Sequence, residues 1–262
     1  MVPADQPPDV DFSAATSLAL ALDFNGDHPR HFGAPAAHSS AFRTEGFEGE
    51  VARGASCNCR SITLIPHCNG THTESASHLT VQQQLLHEIA PLAPVTALLL
   101  TLAPRPAGST AEDSDPVPQP GDHLLTRGDL VVAWQRHSPG RPRALMLRSG
   151  TRHGAISDNP PYLSRQLMTE IVGRGIEHLV VDLPSVDRSH DQGRLTAHRL
   201  FFGLAPGITD LAAATRAHCT ITELASFPAH LADGPCALQL QLPAFSGDAV
   251  PSRPLHLPLV SR

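Results

Sequence analysis

The chain has 262 residues, a formal charge of −6 at pH 7 and 41% hydrophobic residues, enough apolar material for one large domain with a real core. A negative balance without any basic run excludes nucleic acid as a partner, and a charged fraction of 17% is too low for global disorder. All 19 basic residues are Arg, so Schiff-base chemistry, a pyridoxal-phosphate lysine and a P-loop lysine are excluded together.

The acidic, Pro-rich opening has neither the basic nor the apolar region of a signal peptide, and it reads as a loose arm. The longest apolar run, 95–100, is far too short to span a bilayer, so a soluble cytoplasmic protein that does not meet the membrane is expected. Residues 18–24 read as a buried strand, followed by a loop over 25–35 that holds His28 and His31. Cys57 and Cys59 lie in the next turn. A structural zinc would need a second cysteine pair at suitable spacing, and none exists, so both are expected to be ordinary buried thiols. Residues 60–66 alternate like a strand, which places the next segment on the loop leaving that strand.

That loop, 66–79, concentrates the chemistry. His67, Cys68, His72, Glu74 and His78 fall within twelve positions, with Gly70 and Thr71 between them. Imidazole, carboxylate and thiolate are the donors that a divalent metal takes, and residues two apart on an extended segment point the same way. An extended chain would put 68, 70, 72 and 74 on one face, which favours Cys68 as the first donor. A bulge near Gly70 would bring in His67 instead.

The segment resembles the signature of the metal-dependent cyclase family, which includes kynurenine formamidases and isatin hydrolases: His-x-Gly-Thr-His-x-Asp-x-Pro-x-His. Anchored on Gly70-Thr71-His72, the resemblance implies His72 and Glu74 as metal ligands and His78 as the catalytic proton carrier. The family's first His falls at Cys68 with His67 one place upstream, its Asp is Glu74, and its Pro is Ala76. The departures look like those of a branch with Asn-Gly-Thr-His-Thr-Glu at this place.

Further along, 81–90 reads as a short helical turn and 95–102 as a strand. Residues 103–122, with Pro at 104, 106, 116, 118 and 120, read as a flexible surface insertion within a single domain spanning 1–262. Residues 130–134 suit a strand or a helix end, and 144–148 a strand. Apolar residues at 163, 167, 168, 171 and 172 give an amphipathic helix over 162–174, capped by Gly175. Then 178–182 reads as a buried strand, and the alternation of helix and strand points to an α/β fold.

The loop after it, Asp182-Leu-Pro-Ser-Val-Asp187, resembles the family's Asp-x-x-Ser-Val-Asp. Residues 193–203 read as a helix whose His198 matches the family's ligand to a second metal, and Glu223 matches its last ligand and catalytic carboxylate. The usual Glu-Asn-Leu order would set that ligand at Thr222; Glu223 is preferred because the role needs a carboxylate. Residues 236–242 alternate as a half-buried strand, and Arg253 is expected to pair with Asp248 or a nearby carboxylate, or to contact an anionic group of a substrate.

The resemblance implies a swivelling β/β/α fold with a mixed sheet packed by helices, and a homodimer. It implies one or two divalent ions, Zn²⁺ ahead of Mn²⁺. Its expected activity is hydrolysis of an amide, formamide or cyclic amide C–N bond in a small-molecule substrate. Cys68 at a ligand position and Glu74 in place of Asp sustain the rival reading, a catalytically inactive metal- or ligand-binding protein of the same fold.

Overall fold

The computed structural model describes residues 7–137, 140–150 and 159–260. Its centre is a sheet of nine strands. In chain order these are β1 Thr16–Ser17, β2 His72–Glu74, β3 Val95–Thr101, β4 Ala144–Arg148, β5 His178–Val181, β6 Thr220–Glu223, β7 Gly234–Gln241, β8 Ala249–Pro251 and β9 Arg253–Leu257. Their order across the sheet is β1-β9-β7-β3-β4-β5-β6-β2-β8. The middle four, β3 to β6, run parallel, and every pairing outside them is antiparallel.

The middle strands read as continuous apolar runs because both faces of a parallel sheet are covered. Their pleat divides the core in two. After helices α1 Pro66–Asn69, α2 Leu86–Ile89 and α3 Arg127–His137 come α4 Arg165–Gly173 and α5 Thr196–Phe202. Leu98, Leu100, Leu145, Leu147, Leu179, Val181 and Ile221 pack with α4 and α5, which contribute Leu167, Met168, Ile171, Phe201 and Phe202. Val95, Ala97, Leu99, Ala144, Met146 and Val180 face the other way, against Leu18, Ala225, Leu231 and Leu238. The mixed α/β architecture with a mixed sheet is the one the sequence leads us to expect.

Several boundaries differ from expectation, each for a local reason. The strand expected over 18–24 does not form: the strand is Thr16–Ser17, just ahead of it, and the backbone beyond is claimed by three different partners. Leu18 donates to the Pro254 carbonyl and accepts from Ser226, and the Leu20 amide donates to the Thr71 hydroxyl. Arg60–Thr63 is a strand, yet it pairs with His38–Ala41 in a separate two-stranded sheet and is exposed throughout. Cys57 and Cys59 are exposed too, which corrects their reading as buried thiols.

Residues 127–137 form a helix, not a strand. Thr126 and Asp129 cap its start reciprocally, and the Glu112 carboxylate accepts from the Arg127 and Gly128 amides. Glu112 also takes a very short hydrogen bond from the Ser164 hydroxyl, and Asp113 an ion pair from Arg165. The stretch 103–122 is thereby fastened to two helices. Ser164 caps α4 through the Leu167 amide, so the helix begins after Tyr162–Leu163, and Gly175 closes it in the left-handed conformation that glycine tolerates.

Candidate metal centre

Strand β2 lies between β6 and β8, with His72 opposite Glu223 and Pro251, and Glu74 opposite Ile221 and Ala249. Residues two apart on a strand share a face, and so do residues directly opposite. His72, Glu74 and Glu223 therefore converge on one side, while Thr73 and Thr222 meet hydroxyl to hydroxyl at 2.7 Å on the other. All three converging side chains are buried.

Four further elements complete the cluster. Just before β2 the chain makes one helical turn, α1 Pro66–Asn69, started by Pro66 in the position proline suits best. That turn carries His67 to 3.3 Å from Glu74 (Nδ1 to Oε2). A 3₁₀ turn, Ala76–Leu79, is capped by Ser75 and brings His78 Nε2 to 4.0 Å from the same oxygen. Helix α5 sets His198 Nε2 at 2.9 Å from Glu74 Oε1 and 3.5 Å from Glu223 Oε1. The loop before β8 supplies Asp248, whose Oδ2 accepts from His67 Nε2 at 2.8 Å and lies 3.4 Å from His78 Nδ1.

The other side of each donor is held as well. Asp187 accepts from the Ala197 and His198 amides at the start of α5 and from His198 Nδ1 at 2.7 Å, which aims Nε2 at the cluster. The Val186 amide donates to Glu223 Oε1 at 2.7 Å, and His72 Nδ1 lies 3.0 Å from the Gly70 carbonyl. Leu224, immediately after Glu223, sits in the left-handed region with its carbonyl taken by the Thr71 hydroxyl at 2.6 Å. Such backbone strain persists where the surroundings over-determine it.

Burial and charge act against each other here. Burial alone would push the Glu74 carboxyl up, but the charges of the neighbouring His198 and His78, with His67 close by, hold it well below the usual carboxylate range. Burial likewise opposes charge on His198 and His67. Glu74 and Asp187 raise His198 well above its ordinary value, and the hydrogen bond to Asp248 together with the nearby Glu74 carboxylate raises His67 to about 10. His67 and His78 in turn hold the Asp248 carboxyl well below its ordinary value.

The donor set fits a metal. His72 Nε2, His198 Nε2 and both Glu74 oxygens are buried in ion-pair contacts of 2.9–4.0 Å but form no well-aligned hydrogen bond, a costly condition that a cation would relieve. Two groups have all their donor atoms within 4.8 Å of one another: His67, Glu74 and His78, and His72, Glu74 and Glu223. Glu74 belongs to both.

The structure brings His67, His72, Glu74, His78, His198 and Glu223 together and leaves Cys68 out. The preference for Cys68 assumed an extended chain, and the helical turn over 66–69 removes that alignment; the turn, not a bulge near Gly70, is what carries His67 inward. Among the described residues, no metal-sized donor group includes Cys68, and burial pushes its thiol up, away from the thiolate a metal needs. Arg253 does not pair with Asp248; it is exposed and reaches the Ser17 hydroxyl at 3.4 Å. His28 folds onto the carbonyls of its own loop, whereas half-buried His31 feels the charge of Glu223.

Two supporting carboxylates escaped the sequence reading as members of the site. Asp187 closes a quoted motif, and its place just ahead of a His-bearing helix was the available signal. Asp248 gave none, being 181 residues from the histidine it contacts.

A family model described as "Putative cyclase" matches residues 15–188 of this chain. No curated protein matches it significantly. Among solved structures, isatin hydrolase A from Labrenzia aggregata is similar at 18% identity, with a TM-score of 0.62 and 94% of each chain covered. A protein described as a potential metal-dependent hydrolase with cyclase activity is 13% identical, with a TM-score of 0.60, covering 94% of this chain and 98% of its own. A predicted metal-dependent hydrolase from Bacillus stearothermophilus is 11% identical, with a TM-score of 0.56 and coverage of 93% and 97%.

Proposed function

Because this chain belongs to the cyclase family, we propose that it is a metal-dependent hydrolase that cleaves the C–N bond of an amide, a formamide or a cyclic amide. The observation that carries the reading is the convergence of buried donor atoms on His72, Glu74 and His198 beside Glu223, facing one another without a well-aligned hydrogen bond. Isatin hydrolases of the same fold, which by name act on a cyclic amide, support the substrate class.

In this reading His67, His72, Glu74, His198 and Glu223 hold one or two divalent ions, with Glu74 shared. An imidazole and carboxylate set suits zinc and accommodates manganese. When bound, such an ion supplies Lewis acidity toward a carbonyl and makes water more acidic. His78 is the proton carrier. Of the three histidines in contact with Glu74 it makes the longest contact, its ring is partly open to solvent, and Asp248 engages its Nδ1 so that Nε2 faces the centre. It takes a proton from water and delivers it to the departing nitrogen. Glu223, fixed by the Val186 amide, holds its second oxygen 3.5 Å from His72 Nε2 and so keeps that ring in place.

The test is elemental analysis of purified protein, followed by hydrolysis of N-formylkynurenine, isatin and simple cyclic amides by chelated protein with and without added Zn²⁺ or Mn²⁺. Stoichiometric metal and metal-restored turnover are expected, with metal lost in the double variant His72→Ala, Glu74→Ala. Metal content unchanged in that variant would refute the centre, and bound metal without turnover would leave a binding protein.

A further inference from the structure

Within the proposed centre, Asp248 sits between two histidines assigned different tasks. Its Oδ2 lies 2.8 Å from His67 Nε2 and 3.4 Å from His78 Nδ1, and those two rings are 4.2 Å apart, centre to centre. The opposite nitrogen of each ring points to the same place, Glu74 Oε2, at 3.3 Å from His67 Nδ1 and 4.0 Å from His78 Nε2. One carboxylate oxygen therefore grips the outer nitrogen of both rings and turns both inner nitrogens toward the buried centre.

Its own placement is fixed by the sheet. Asp248 immediately precedes β8, and its carbonyl accepts from the Ser75 amide at 3.3 Å, so pairing of β8 with β2 brings the carboxylate to the mouth beside the 3₁₀ turn that carries His78. The loop holds it there for a reason beyond filling space, since the side chain is 47% exposed and contributes nothing to the core.

We infer that Asp248 is a positioning residue that orients His67 as a ligand and His78 as a base at once, by holding an N–H on the outer nitrogen of each ring. This rests on the metal-hydrolase reading. A ligand histidine whose second nitrogen donates to a carboxylate is fixed in orientation and made more basic, and loss of such a partner costs about 10–100-fold in metal affinity or activity. For His78, a proton held on Nδ1 leaves the lone pair on Nε2, the nitrogen that faces the centre. Coupling the two means that the rings of ligand and base cannot drift independently.

The experiment uses the full chain with Asp248→Ala, Asp248→Asn and Asp248→Glu, checked for native folding by circular dichroism. Zn²⁺ alone is titrated into chelated protein by calorimetry, and the imidazole nitrogens of metal-free protein are read by ¹⁵N NMR at a pH where His78 is neutral. Asp248→Ala is expected to weaken Zn²⁺ binding about 10–100-fold and to move His78 from the Nδ1–H to the Nε2–H tautomer. Asp248→Asn, which still offers an acceptor oxygen, should keep the tautomer and lose part of the affinity, and Asp248→Glu should restore part of both. A folded Asp248→Ala variant with unchanged Zn²⁺ affinity and an unchanged His78 tautomer would overturn the proposal. The tautomer reading needs no metal and no turnover, so it judges Asp248 even if the hydrolase reading fails.

Discussion

At the scale of single residues, the centre sorts its six assembled donors by depth. His72, Glu74, His198 and Glu223 are buried, whereas His67 and His78 keep about a fifth to a quarter of their side chains open to solvent. Access suits a group that must exchange protons, and of the two outer rings His78 stands farther from Glu74, at 4.0 Å against 3.3 Å for His67. His78→Ala should therefore leave metal bound and slow hydrolysis by roughly 10²–10⁴-fold, measured as kcat alongside metal content; loss of metal would reassign His78 as a ligand. The helical turn at 66–69 separates two neighbours of similar chemistry. His67→Ala should weaken zinc binding at least about tenfold, and Cys68→Ser should barely change it. The reverse pattern in a zinc titration would reinstate the thiolate.

At the scale of elements, what was legible followed from which force shaped each segment. The central strands β3, β4 and β5 are continuous apolar runs with few alternatives, and α4 announces itself by period and by its glycine stop. Strands β2 and β8 are three residues each, β2 polar and β8 apolar but too short to show a pattern; β2 exists because it pairs with β6 and β8, and β8 because it pairs with β2. Nothing local encodes such pairing, so residues 72–74 read as a loop with the right ligands but not as the strand that aligns His72 with Glu223. A four-residue turn such as α1 leaves no period to detect. In the stretch 103–122 the prolines dominate the composition and mask Glu112 and Asp113, the carboxylates that bond it to two helices. Glu112→Ala removes the acceptor for two helix-starting amides and for Ser164, and should cost about 1–2 kcal/mol. Urea unfolding should show the loss while metal uptake stays intact; an unchanged midpoint would show that the stretch is not held through Glu112.

At the scale of the whole molecule, two buried groups away from the metal donors set opposing responses to pH. Burial lowers His178 to about 4, with Glu177 pulling weakly the other way, so the folded protein keeps it neutral while the unfolded chain protonates it. Its contribution to stability is lost as pH falls from 6.5 toward 4. Burial raises Asp182 to about 6 against the pull of the Ser149 amide, so the folded protein keeps the proton that the unfolded chain gives up. Its contribution is lost as pH rises from 3.8 toward 6. Each shift is worth about 3 kcal/mol at full extent, and over the shared window they offset. Relative to the parent protein, His178→Gln should become less stable on going from pH 4 to 6, and Asp182→Asn less stable on going from 6 to 4. Parallel denaturation curves across that window for all three proteins would show that neither group is shifted.

The arrangement of β2 between β6 and β8 also fixes when the centre can exist during synthesis. A nascent chain that has emerged only as far as α5 displays His67, His72, Glu74, His78 and His198 but lacks Glu223, Asp248 and both neighbours of the strand that carries the first donors. Contacts this distant in sequence form after the loops between them have closed. A donor-rich segment thus leaves the ribosome long before its frame, where it is open to adventitious ions and to chaperones. Under the proposed metal centre, capture in the proper geometry would be a sign that translation has reached these strands.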